Sequence, residues 1–118
     1  MVKYQKTHEW VTVEGDIATV GISAHAAEQL GEIVFVELPE KDDTVKKGDT
    51  VSNVESAKAV GEVVTPYSGV IVEVNEALDD APENVSENAL GTFIFKVKIS
   101  DPSEGADLLD EAGYKATF

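Results

Sequence analysis

The chain of 118 residues contains no cysteine, and all nine of its basic residues are lysine. Lack of cysteine excludes disulfides, thiolate metal sites and a cysteine nucleophile. Lack of arginine removes the planar fork that usually grips phosphate, and 9 basic against 23 acidic residues give a net charge of -14. That balance supplies no basic footprint for nucleic acid. Histidine is scarce as well. His8 and His25 fall on different elements with no His-x-x-Glu spacing, which argues against a metal site. With no Gly-x-Ser-x-Gly turn, a serine hydrolase is also disfavoured. Gly61, Gly69 and Gly91 stand alone, so neither a P-loop nor a dinucleotide motif can be drawn through them. No apolar run approaches the roughly 18 residues of a membrane span, and no membrane partner is expected. Met1 to Lys6 lacks both a secretory apolar region and the arginines of a transit peptide, so a cytoplasmic, bacterial setting is expected.

What is present is 42% hydrophobic residues in a length suited to one domain, expected to span 1–118 and to be a monomer. Trp10–Val13 and Ile17–Ile22 flank Glu14-Gly15-Asp16 as two strands and a tight turn. A short helix follows, capped by Ser23 and ended by Gly31. Further strands are expected at Ile33–Leu38, Val51–Glu55, Val60–Thr65, Gly69–Asn75 and Phe93–Ile99. Glu76 to Gly91 reads as an irregular loop containing at most a helical turn. At the C-terminus, Asp101 as cap, Pro102 at the first position and Glu104 as the capping-box acid predict a helix. Its apolar stripe would be Leu108, Leu109 and Ala112, and it would end near Gly113. About seven short strands and two short helices predict an antiparallel β sandwich or flattened barrel. Gly48–Val54 and Gly69–Val74 form a loose internal echo on either side of Lys58.

Lys58 is the residue on which the functional reading turns. Lys47-Gly48-Asp49 and Pro66-Tyr67-Ser68-Gly69 are turn signals at nearly equal distance on either side, joined to it by valine-rich runs. The geometry predicts a hairpin over about 54–62 with Lys58 at its tip. Small Ala57 and Ala59 leave the amine open to other enzymes. Such an amine can form an amide with a carboxylic-acid cofactor, and rigid strands beneath it would fix where a swinging arm begins. An acidic, non-catalytic carrier follows. Its charge favours basic partner surfaces, and Glu55 and Glu62 beside the hairpin are the acids expected to face them.

Five blocks carry a family likeness: His8-Glu9-Trp10, Val20 to Ala26, Leu30 to Pro39, Val54 to Ala59, and Pro66 to Asn75. Together they make the chain resemble the glycine cleavage H-protein family from about Lys3 to Tyr114. The resemblance implies a mostly β barrel-sandwich hybrid in which Lys58 carries (R)-lipoate as an amide. It implies an arm that takes an aminomethyl group from glycine decarboxylase, the P protein, and delivers it to an aminomethyltransferase, the T protein. Dihydrolipoyl dehydrogenase, the L protein, would reoxidise the arm. A lipoate ligase or a lipoyl/octanoyl transferase would install it. The loaded arm would fold into a cleft walled by Thr7, Glu9 and His25, with Glu62 near the hairpin.

Three positions depart from the family pattern. Ala57 stands where valine is usual, Gly61-Glu62 where Ser-Asp is usual, and Gly91-Thr92-Phe93 where a Gly-Trp pair is common. Other carriers remain as alternatives, because a lipoyl or biotinyl domain of a larger complex also presents a lysine hairpin. Those domains usually have Asp or Met before the lysine. A lipoyl relay to 2-oxoacid dehydrogenases would use the same Lys58, and a cofactor-free interaction domain would use none.

Overall fold

Branched side chains at alternating positions suit a pleated, half-buried surface. They build nine strands among residues 2–117, which are the residues described in this computed structural model. The terminal residues of the expected 1–118 unit lie outside that range. The larger sheet has the order β1 (Lys3–Tyr4), β2 (Glu9–Glu14), β3 (Ile17–Ile22), β9 (Phe95–Ile99), β8 (Gly69–Val74) and β5 (Thr44–Val45). The smaller has β4 (Ile33–Glu37), β6 (Thr50–Ser56) and β7 (Val60–Val64). All neighbours are antiparallel. The result is the expected barrel-sandwich architecture. Val11, Val20, Phe95 and Val97 of the larger sheet meet Ile33, Val36, Val54 and Val63 of the smaller in one buried core. Each such side chain contributes about 1.5–3 kcal/mol by leaving water.

Short elements close the ends of this core. Ser23 caps α1 (Ala24–Leu30) by accepting the Ala26 N–H at 3.1 Å, and Gly31 ends it at φ 82°. The segment expected to be a mostly irregular loop instead forms two single-turn helices, α2 (Ala77–Asp80) and α3 (Asn84–Glu87). Each exists to bury one apolar residue, Leu78 and Val85. Strands β1 and β5 were not expected either; at two residues each they are too short to show a period.

The C-terminal helix is corrected more substantially. Asp101 does cap, accepting the Ser103 N–H, and Pro102 does open the turn, but the segment Pro102–Asp107 is a 3-10 helix. No capping box forms, because the Glu104 carboxylate is taken by the Ser68 N–H and hydroxyl, both at 2.8 Å. Leu108 to Asp110 then runs extended, since Leu109 exchanges two backbone hydrogen bonds of 2.8 Å with Tyr4. A separate α4 (Glu111–Lys115) follows, capped by Asp110 through the Gly113 N–H at 2.7 Å. Gly113 is therefore inside a helix and not its terminator. Tyr114 of α4 stacks on Tyr4 with ring centroids 4.5 Å apart, in a second apolar cluster with Trp10, Phe93 and Leu109.

Trp10 lies across the strand from Gly21, and a Cβ added at Gly21 would come within 2.6 Å of the indole. Gly21→Ala should therefore lower unfolding free energy by about 2 kcal/mol or more and perturb Trp10 fluorescence. Urea titration checks this, with Val13→Ala on the exposed part of the same sheet expected to change stability far less.

Candidate functional site

Strands β6 and β7 pair from Thr50↔Val64 to Glu55↔Val60, so the chain reverses over Ser56 to Ala59. Ser56 is what fixes the turn. Its N–H donates to the Ala59 carbonyl at 2.8 Å, while its hydroxyl oxygen lies 3.3 Å from the Lys58 nitrogen and 3.1 Å from that of Ala59. Serine hydroxyls commonly hold turns in this way. Ala57, Lys58 and Ala59 are all exposed. The Lys58 stem leans toward the end of α1, where a Cβ on Gly31 would sit 3.6 Å from Cε and 3.9 Å from Nζ. Glycine thus keeps the ground beneath the amine low.

Beside the hairpin is a cleft of about 430 Å³ between α1, the Thr7-His8 turn and β7. Thr7, His25 and Glu62 line it, together with His8, Gln29 and Leu30. Glu9 does not line it, and it is not a surface acid. It is fully buried behind Thr7, whose hydroxyl donates to Oε1. Gln5 Nε2 donates to the same oxygen at 3.0 Å, and the Val64 N–H donates to Oε2 at 2.9 Å. Burial is the main influence on this carboxyl and raises it to about 7, against the opposing pull of those donors. Glu55 and Glu62 are on β6 and β7, Glu55 opposite Val60 and Glu62 opposite Asn53. Glu62 is exposed at the cleft mouth, whereas Glu55 belongs to the hairpin and not to the cleft.

Three contributors were not foreseen. His8, in a left-handed conformation at φ 76°, places its ring 5.0 Å from that of His25. Its Nδ1 lies 2.5 Å from the Tyr114 hydroxyl, which is also 2.7 Å from Ser23 Oγ. Burial first, and the neighbouring His25 second, lower the His8 pKa. Gln5 is the third, donating to the Val64 carbonyl at 2.7 Å as well as to Glu9. The only sequence signal for this group was the proximity of Gln5, Thr7 and Glu9 along the chain; the reach to Tyr114 spans 106 positions.

The profile of the glycine cleavage H-protein family matches residues 2–118. The chain belongs to this family. The H protein of Thermotoga maritima is 53% identical over 98% of this chain and 94% of its own length. That of Phenylobacterium zucineum is 51% identical over 98% and 96%. A crystal structure of the H protein from Mycobacterium marinum superimposes with a TM-score of 0.86 at 34% identity, covering 98% of this chain and 94% of that one. Two departures from the family pattern have local causes in this H-protein fold. A Cβ at Gly61 would come 3.0 Å from Leu30 Cδ1, so Leu30 fills the space a larger residue would need. Phe93 keeps an aromatic ring in the Trp10 cluster, with Lys96 Nζ 5.1 Å from its centroid.

Because folding raises Glu9 from 4.5 to about 7, folded Glu9 keeps its proton where an unfolded glutamate has lost it. Its pH-linked contribution to stability is complete below pH 4.5 and is lost as pH rises through 7, a span worth on the order of 3 kcal/mol. Carboxyl-carbon NMR of glutamate-labelled protein should show Glu9 titrating with a midpoint near 7; a midpoint in the ordinary glutamate range would refute the assignment.

Proposed function

We propose that residues 1–118 act as one non-catalytic carrier, in the cytoplasm, with (R)-lipoate amide-linked to Lys58. The observation that carries this reading is the exposed lysine on a turn locked by Ser56, flanked only by methyl side chains and set above Gly31. These residues fit the group: Ala57 and Ala59 beside the exposed lysine carry only methyl side chains, and the adjoining cleft offers about 430 Å³. When bound, the lipoyl group supplies reversible disulfide chemistry and a sulfur able to hold a one-carbon amine unit. The residues of this chain do the rest by placement. Strands β6 and β7 fix the origin of the arm, which limits the orientational cost of each delivery. Glu62 and the Thr7 hydroxyl offer a cationic amine its partners at the cleft, with His25 on the facing helix. Glu9 acts from behind, holding Thr7 and the β7 edge in place.

In this reading the carrier serves glycine decarboxylase, an aminomethyltransferase and dihydrolipoyl dehydrogenase, after a lipoate ligase or transferase has loaded it. A carrier with several clients needs weak, fast encounters, which long-range charge can steer. With -14 net charge, the protein approaches basic rims, and Glu55 and Glu62 flank the hairpin that enters them.

Lys58→Arg should leave the thermal midpoint unchanged, since the side chain is exposed, and should abolish carbon dioxide release from glycine by the decarboxylase. Retained release by this variant would overturn the reading. The apparent KM of the decarboxylase for the lipoylated carrier should rise with salt as the Debye length shrinks from about 10 Å at 0.1 M to about 3 Å at 1 M. Glu55→Gln with Glu62→Gln should reproduce part of that rise, and a salt-independent KM would limit the acidity to a solubility role.

A further inference from the structure

Strict alternation along β4 would put Val34 outward and Phe35 into the core. It does not happen. Ile33 pairs with Ser56 and Phe35 with Glu55, so two steps on β4 oppose one on β6, and the bulge turns both Val34 and Phe35 to solvent. Ile33 and Val36 on either side are 1% exposed, whereas Val34 is 53% and Phe35 47% exposed. On β7, Val60 is 57% exposed, the most open large hydrophobic residue among those described. Register places Phe35, Glu55 and Val60 in one row across the three strands, since Phe35 pairs with Glu55 and Glu55 with Val60. That row is the last one before the lysine turn. The same three strands carry Glu37, Glu55 and Glu62 and no lysine. Phe35 and Val60 thus flank Glu55 on the open face next to Lys58, and the exposure of Val34 and Phe35 together comes at the cost of a bulge. Exposed apolar residues grouped this way mark an interaction surface.

We propose that Val34, Phe35 and Val60, with Glu55 between them, are the docking surface of the enzyme that acylates Lys58, and that this enzyme presents apolar side chains interspersed with basic ones. The inference rests on the carrier reading. Charge complementarity to Glu37, Glu55 and Glu62 calls for the basic side chains, and reach selects the enzyme. A client can take the far end of a finished arm without covering the whole turn, whereas the acylating enzyme must reach Nζ at the end of the lysine's own four-carbon stem. It has to close over the turn, and the exposed methyls of Ala57 and Ala59 let its contact continue onto Val60 and Phe35. In the step itself, neutral Nζ attacks the carbonyl carbon of a lipoyl-adenylate. The new C–N bond replaces the bond to phosphate oxygen, AMP leaves, and the amine loses one proton to solvent or an enzyme base.

The test uses unmodified full-length protein with purified lipoate ligase, ATP and lipoate, following Lys58 acylation by mass. Phe35→Ser and Val60→Ser should each lower kcat/KM for the carrier by about tenfold, mainly through KM. Val13→Ser, an exposed apolar site on the other sheet, should match wild type. Circular dichroism melting separates folding from docking; the exposed positions predict unchanged midpoints, and Phe35→Glu provides a second probe that should be slower still. Patch variants acylated within about twofold of wild type would overturn the docking surface while leaving the carrier reading intact. Wild type left unacylated at Lys58 would overturn both.

Discussion

A single buried carboxylate joins the two sheets at the point where the site is built. Strand β7 is the edge of the smaller sheet, and among the described residues no strand pairs with its outer side. The Glu9 carboxylate accepts the Val64 N–H at 2.9 Å, and Gln5 donates to the Val64 carbonyl at 2.7 Å, so two side chains do for that residue what a neighbouring strand would. Leaving such buried backbone groups unpaired would cost about 1–3 kcal/mol each. Side chains in place of a strand also blunt the edge against pairing with another chain. Because Glu9 opens β2 of the larger sheet, the same contacts lock the base of the lysine hairpin to the rest of the fold.

Consequences run outward from that clamp. Thr7, which donates to Glu9, also faces the cleft, so the cleft wall is positioned from within. His8 follows Thr7 in a left-handed conformation and is tied through Tyr114 to Ser23, the cap of α1. The helix that bears His25 is thereby coupled to the C-terminal segment. Ser56 fixes the backbone of the turn, and the side chains of Ala57, Lys58 and Ala59 project from it into solvent. A fixed base and an unobstructed tip are what a carrier requires, since the arm must begin from one place and reach several.

Much of this was legible in the sequence where local chemistry decides the outcome. Gly15 between two alternating runs gave the first hairpin, Ser23 and Gly31 bounded α1, and paired turn signals put Lys58 at a hairpin tip. Misreadings arose where distant partners override local preference. Leu108 and Leu109 have helical spacing from Ala112, but Leu109 pairs with Tyr4 more than a hundred positions away. Glu104 suits a capping box, yet Ser68 offers it two donors. Glu9 was expected in the cleft wall and lies behind it, because nothing nearby in sequence announces the Val64 N–H that awaits it. The β4 bulge is invisible for the same reason: Ile33 to Val36 reads as an unbroken apolar strand until its register against β6 is known.

The central claim is that one lysine among nine is selected by its place on the fold to bear a lipoyl amide. Peptide mapping by mass spectrometry of the protein purified from its native host tests this most directly. The account predicts a lipoyl mass increment confined to the peptide containing Lys58, with the other eight lysines unmodified. A lipoyl group found on another lysine, or a Lys58 peptide that never carries one, would contradict it.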